Sequence, residues 1–300
     1  MKTGSAVSLM IALQLAAPLA QAQSRIQPNT LYSISADGSL KWYRHDGALT
    51  AGGLYDAGSW GAPSGKEVGV GWNSLQSVFA VPGGVIYGVT PNGDLKWYKH
   101  TGSKMGLGLY DAGSWDPNSG KVIGTGWNGF RQLFATSDGI IYGIKPDGSL
   151  RWYKHDGQQT GNGLFDPSGG WDPKSGKEVG VGWNTFKQVF AAPGGIIYGV
   201  MPNGDLKWYK HTAYRSGGGL NEANSWNAKS GKVIGTGWNF AHLIAGQNGI
   251  IYGVKTDGSL RWYKHDGQRT GDGLFDPTGW DPRGGKEIGV GWNMPQIFGF

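Results

Sequence analysis

Fifteen tryptophans are spread along 300 residues in three sets of five, with none left over. Trp42, Trp97, Trp152, Trp208 and Trp262 each precede a tyrosine. Trp60, Trp115, Trp171, Trp226 and Trp280 each end a stretch rich in Gly and Ser. Trp72, Trp127, Trp183, Trp238 and Trp292 each stand in Gly-Trp-Asn. Within every set, successive members are 54–56 residues apart. Such a repeat fixes the architecture before local propensity does, because one unit cannot bury its apolar face alone and must stack on its neighbours.

Residues 76–125 show what one unit contains. Residues 76–80 and 85–89 are β-type runs separated by the turn Pro82-Gly83-Gly84. Pro91-Asn92-Gly93 then supplies the positive φ that a tight hairpin needs, and residues 94–99 form a third run. A long loop leads to a fourth run at 121–125, and no segment carries a helical period. Five such units predict an all-β fold, a closed five-bladed β-propeller with four antiparallel strands per blade. The ends predict how the ring closes. The chain enters a repeat at residues 31–34, and residues 296–300 supply the innermost strand that this repeat lacks, so one blade is completed by the C-terminal strand. Repeats one, three and five share Lys-Glu-Val/Ile-Gly-Val-Gly-Trp-Asn, whereas repeats two and four share Lys-Val-Ile-Gly-Thr-Gly-Trp-Asn, which points to duplication of a two-repeat unit.

Composition narrows the chemistry. There is no Cys, which excludes a disulfide scaffold, Cys-ligated zinc and Cys nucleophiles. Net charge is +6, but Lys and Arg form no basic run, so no nucleic-acid partner is expected. Residues 1–22 read as a secretory signal peptide, with Lys2, an apolar stretch and the small-x-small triplet Ala20-Gln21-Ala22. Residues 23–300 are then the propeller domain, secreted to an extracellular or periplasmic location after cleavage near Ala22. No later segment is apolar enough to span a bilayer.

The loop between the third and fourth strands runs to about 20 residues in every repeat, and long loops on a rigid scaffold commonly carry function. Each holds Leu-x-acid, with Asp56, Asp111, Asp166, Glu222 and Asp276 as the acids, and an exposed-looking Trp four or five residues on. The Gly-Trp-Asn tryptophan follows twelve residues later in all five repeats. Aromatic faces beside carboxylates and amides suit sugars: a pyranose packs its apolar face on a ring, and its hydroxyls take directional hydrogen bonds. The loop tryptophans are the foremost ligand candidates. Those of Gly-Trp-Asn could be packing or pocket wall, and those before Tyr are expected in the blade core.

The run Gly-Trp-Asn-x-Phe-(Lys/Arg)-Gln-(Val/Leu)-Phe-Ala, at residues 126–135 and 182–191, followed by Gly-Ile-Ile-Tyr-Gly, resembles the tachylectin-2 family. The resemblance covers the whole chain after the signal segment. It implies a five-bladed lectin binding N-acetylglucosamine and N-acetylgalactosamine, with one site per blade between neighbours. The long loop and the segment arriving from the preceding blade would form each site. Carried over, the carbohydrate-binding residues are Asp56, Trp60, Trp72 and Asn73; Asp111, Trp115, Trp127 and Asn128; Asp166, Trp171, Trp183 and Asn184; Glu222, Trp226, Trp238 and Asn239; and Asp276, Trp280, Trp292 and Asn293. The family's loop has Asp-Asn directly before the Trp, whereas this chain has Gly58-Ser59 and counterparts, with the acid further back.

No cofactor and no metal are expected. His45, His100, His155, His211 and His265 recur at strand ends in different blades and cannot converge on one ion, and Asp116-Pro117-Asn118-Ser119-Gly120 lacks the alternating carboxylates of a calcium loop. No nucleophile–base pair or unique acid pair stands out, so no enzymatic activity is expected. The partners implied are glycans with terminal N-acetylhexosamine, met by a monomer with up to five weak sites acting together. The alternatives are a protein-binding propeller scaffold and, further off, a propeller glycosidase with Glu222 as the odd carboxylate.

Overall fold

The computed structural model describes residues 29–300. The expected signal peptide lies outside the described residues. Among them, twenty strands form five sheets of four antiparallel strands each, with only short 3-10 turns between. The first blade orders Gln296–Gly299, Asn29–Ile34, Leu40–His45 and Lys66–Gly69 from the axis outward. The other four blades are continuous in the chain and begin at Ser77–Val81, Gln132–Ala135, Gln188–Ala192 and His242–Ala245. These inner strands touch one another around the axis, Gln296–Gly299 included, so the ring is closed. The C-terminal strand pairs with the first in the expected place: Leu31 opposes Gly299 and Ile34 opposes Gln296.

The sequence explains the layering. Second strands such as Val85–Val89 lie between two strands and between two blades, and they are buried at every residue, so they read as continuous apolar runs. The glycine within them is required. A Cβ on Gly88 would come within 2.6 Å of the Leu75 side chain, and one on Gly143 within 2.5 Å of the Phe130 ring. Third strands such as Leu95–Lys99 alternate, with Leu95 and Trp97 buried and both lysines half-exposed. The tryptophans that precede Tyr are fully buried, as expected of blade core.

Three sets of hydrogen bonds made by aromatic and imidazole side chains tie each blade to the next. Each tryptophan before Tyr donates its indole N–H to a loop carbonyl of the following blade, as Trp42 does to Ser103 at 2.7 Å and Trp262 to Ala48 at 2.7 Å. Each loop tryptophan reaches the other way, as Trp60 does to the Ile288 carbonyl at 3.1 Å and Trp115 to Val68 at 2.8 Å. The third set uses the strand-end histidines. They are 0 % exposed, so they are interior residues rather than polar edges. Tyr32–His100, Tyr87–His155, Tyr142–His211, Tyr198–His265 and Tyr252–His45 link hydroxyl to Nδ1 at 2.7–2.9 Å around the whole ring. The seam between the two chain ends has an extra tie: the Asn29 side chain donates to the Tyr252 hydroxyl at 3.1 Å and accepts the Gln247 N–H at 2.7 Å.

Candidate functional site

The long loop of each blade folds against the outer strand of the blade before it. Between the last and first blades this encloses a cavity of about 490 Å³, whose lining includes Tyr43, Tyr55, Asp56 and Trp60 on one side and Val290 and Trp292 on the other. A matching cavity of about 320 Å³ lies between the fourth and fifth blades, lined by Tyr263, Asp276 and Trp280 across from Thr236 and Trp238.

The loop tryptophan is half-buried, not exposed as its sequence context suggested. Trp60 stacks on the buried His45 at 4.6 Å, and its indole N–H is spent on the preceding blade. Trp115, Trp226 and Trp280 stack likewise on His100, His211 and His265, and Trp171 tilts against His155. Only part of each ring is left to a ligand, and each is a structural residue as well as a wall. The Gly-Trp-Asn tryptophan is buried, 6 % exposed in all five blades, yet it backs the cleft. Trp292 lies 4.6 Å from the Tyr43 ring and 5.9 Å from Trp60. It thus serves both readings left open by the sequence.

The acid is held in one place by two partners. An Asp56 oxygen accepts the Gly53 N–H at 2.8 Å and pairs with Lys286 of the preceding blade at 2.9 Å. The arrangement recurs as Lys66–Asp111 at 2.6 Å, Lys121–Asp166 at 2.6 Å, Lys177–Glu222, and Lys232–Asp276 at 2.7 Å. These contacts lower every one of the five carboxyl pKa values. The backbone N–H is the chief cause at Asp56, and the lysine at Asp111, Asp166, Glu222 and Asp276. The acids are therefore anionic acceptors at neutral pH with oxygen lone pairs to spare, and the lysines are donors beside them.

The asparagines lie elsewhere. Asn73 donates to the Ala36 carbonyl at 3.0 Å, Asn128 to Pro91 at 3.0 Å and Asn184 to Pro146 at 3.1 Å, each fastening the hairpin turn of its own blade. Neither Asn239 nor Asn293 lines the two cavities. Asp116 is likewise committed locally, accepting the Asn118 N–H at 2.9 Å in an Asx turn. Sequence reasoning missed the five lysines and the tyrosines Tyr43 and Tyr263. The signal was present, since Lys66, Lys121, Lys177, Lys232 and Lys286 open the fourth strand of every repeat. It also missed the residue before each acid, which stands out into solvent as Tyr55 and Tyr110, both 93 % exposed, Phe275 and Phe165.

The family model described as Tachylectin matches residues 26–108, 108–170 and 166–294. No curated protein matches the chain. Among solved structures, one described under "The de novo evolutionary emergence of a symmetrical protein is shaped by folding constraints" is 24 % identical, covers 90 % of this chain and 97 % of its own, and superposes with a TM-score of 0.54, a likeness of fold. The six-bladed fucose-recognising lectin of Aleuria aurantia is 15 % identical over 89 % of this chain and 75 % of its own, with a TM-score of 0.42. The SapL1 lectin in complex with alpha methyl fucoside is 13 % identical over 88 % and 79 %, with a TM-score of 0.40.

Proposed function

The chain belongs to the Tachylectin family, and from that premise we propose that it is a multivalent lectin taking N-acetylated hexosamines, one per cleft. The observation that carries this reading is the fivefold recurrence of one arrangement: a half-buried Trp and an anionic acid paired with a lysine from the neighbouring blade, the acid fixed besides by a backbone N–H at Asp56, Asp111, Asp166 and Asp276. A protein partner would meet the ring unevenly and would not need five copies. A small ligand repeated on a glycan surface would use each of them, and several weak sites together raise overall binding by roughly 10²–10⁴. In each cleft the apolar sugar face packs on the part of the Trp ring left open, while sugar hydroxyls donate to the carboxylate and accept from the lysine. A binder of this kind needs no catalytic group.

Titration calorimetry with N-acetylglucosamine tests the reading. Weak binding with more than one site per chain is expected. The variant Asp56→Asn/Asp111→Asn/Asp166→Asn/Glu222→Gln/Asp276→Asn should stay folded and lose at least tenfold in affinity, the worth of one charge-assisted hydrogen bond per site. Full affinity in that variant would place the sugar away from the clefts.

Secretion belongs to the same proposal. Residues 1–22 are read as the exported chain's removed signal, so mass spectrometry of exported protein should find Gln23 at the N-terminus. Recovery of the protein with residues 1–22 intact would refute it.

A further inference from the structure

Closing the ring sets the outer strand of each repeat against the loop of the next, and this gives the alternation of repeats a consequence. The residue two before each Gly-Trp-Asn tryptophan is Val70, Val181 or Val290 in odd repeats and Thr125 or Thr236 in even ones. Val290 and Thr236 line the two cavities, and Val70, Val181 and Val290 are 57–62 % exposed. Neither threonine hydroxyl hydrogen-bonds to protein among the described residues.

The loops vary in step with the residue across the cleft, not with their own repeat. The loops of repeats three and five read Phe-Asp-Pro, at 165–167 and 275–277, and they face Thr125 and Thr236. Those of repeats one and two read Tyr-Asp-Ala, at 55–57 and 110–112, and face Val290 and Val70. The loop of repeat four reads Asn-Glu-Ala, at 221–223, and faces Val181. Repeat one is the telling case. Its own strand is of the odd type, like those of repeats three and five, yet its loop is of the Tyr-Asp-Ala kind. A strict two-repeat alternation cannot close an odd-numbered ring without one mismatch, and this hybrid removes it. Every cleft therefore pairs Phe with Thr, or Tyr or Asn with Val, so that one wall is polar at the rim and the other is not.

We propose, resting on the lectin reading, that the five clefts are of two kinds, and that the strand residue sets which sugar substituent each prefers. The three valine clefts offer a methyl surface that seats the acetamido methyl of an N-acetylhexosamine. The two threonine clefts offer a hydroxyl there, which suits a sugar hydroxyl and is left unpaired against a methyl group. The clefts should thus differ about fourfold in their affinity for N-acetylglucosamine, the value of one buried methyl-sized group.

The five loop indole N–H groups report each cleft separately, so the test is a site-resolved NMR titration with N-acetylglucosamine, and with glucose for comparison. In the wild type, Trp60, Trp115 and Trp226 should report the tighter binding, and Trp171 and Trp280 binding about fourfold weaker. With glucose this order should shrink or reverse. Thr125→Val/Thr236→Val should bring all five to the tighter value, and Val70→Thr/Val181→Thr/Val290→Thr all five to the weaker one. The substituted side chains are exposed, and unchanged thermal unfolding verifies the fold. Five equal affinities that neither exchange alters would overturn the assignment of two kinds while leaving the lectin intact. No saturable binding of either sugar to the wild type would overturn the lectin reading and this inference with it.

Discussion

Removing residues 296–300 should cost the protein its stable closed fold. The lost strand is the inner strand of the first blade, hydrogen-bonded along Leu31–Ile34, with Thr30 and Phe300 exchanging backbone hydrogen bonds beyond it at 3.0–3.1 Å. Phe298 stacks on the buried Tyr32 at 5.4 Å, and Phe298, Ile297 and Phe300 are all buried. Losing one core Phe alone costs about 3–5 kcal/mol, against a total stability of about 5–15 kcal/mol. The truncation also bares a strand edge whose N–H and C=O groups invite another chain. In a domain of this size, a loss of about 5 kcal/mol lowers the Tm by roughly 10–20 °C. Thermal unfolding by circular dichroism with size-exclusion chromatography should therefore show a truncated chain that is unfolded at modest temperature or self-associated. Phe298→Ala, with the backbone pairing kept, should fall between it and the wild type. A truncated monomer melting within a few degrees of the full chain would show that the other contacts at the seam suffice to close the ring.

This fold was legible because its determinants are local and repeated. The strands expected at 76–80, 85–89 and 94–99 lie at Ser77–Val81, Val85–Val89 and Leu95–Lys99, within a residue or so, since apolar runs and Gly turns fix them without reference to the rest of the chain. The half-repeats at the two ends gave the closure for the same reason.

The site was legible only in part, because its contacts cross between blades. Lys66 and Asp111 are 45 residues apart, and nothing local to either marks the other. The constant twelve-residue step from Trp60 to Trp72 invites the thought that they share a cleft, yet Trp60 faces Trp292 while Trp72 lies 5.7 Å from Trp115 of the next blade. Repetition within the chain tells which residues are equivalent; ring closure decides which of them meet. The same gap hid the histidines. A polar residue at a strand end reads as solvated until the tyrosine of the preceding blade arrives over it.

Those histidines make acid the condition that should open the ring. Each Nε2 faces a backbone carbonyl, at 2.6–2.9 Å from the oxygens of Gly52, Leu107, Asn162, Gly218 and Asp272. A carbonyl can only accept, so Nε2 carries the proton and Nδ1 accepts from the tyrosine hydroxyl, which fixes the neutral tautomer. Protonating Nδ1 would turn the tyrosine hydroxyl from donor to acceptor and would bury a charge. Burial lowers the pKa of all five to about 4, against the opposing pull of the carbonyl that each Nε2 faces and, more weakly, of Asp46 on His45, Asp156 on His155 and Asp266 on His265. In the unfolded chain the same groups titrate near 6.5. Between these values the unfolded state holds more protons than the folded one, so stability is complete above about pH 6.5 and is lost as pH falls towards 4. Each site amounts to something of order 3 kcal/mol by the lower limit, so two or three of them rival the whole stability of a domain. Thermal unfolding followed from pH 8 to pH 4 should show a level Tm down to about pH 6.5 and a steep fall below it. The loop carboxylates, whose pKa values are also lowered, add their loss only at the acid end. Replacing one lock by a neutral pair, Tyr87→Phe with His155→Leu, should lower the Tm at pH 8 while making the acid fall shallower, since one fewer proton is taken up on unfolding. A Tm that stays level to pH 4.5 in the wild type would mean that the buried imidazoles take up their protons without strain, and that the tyrosine–histidine links do not hold the ring.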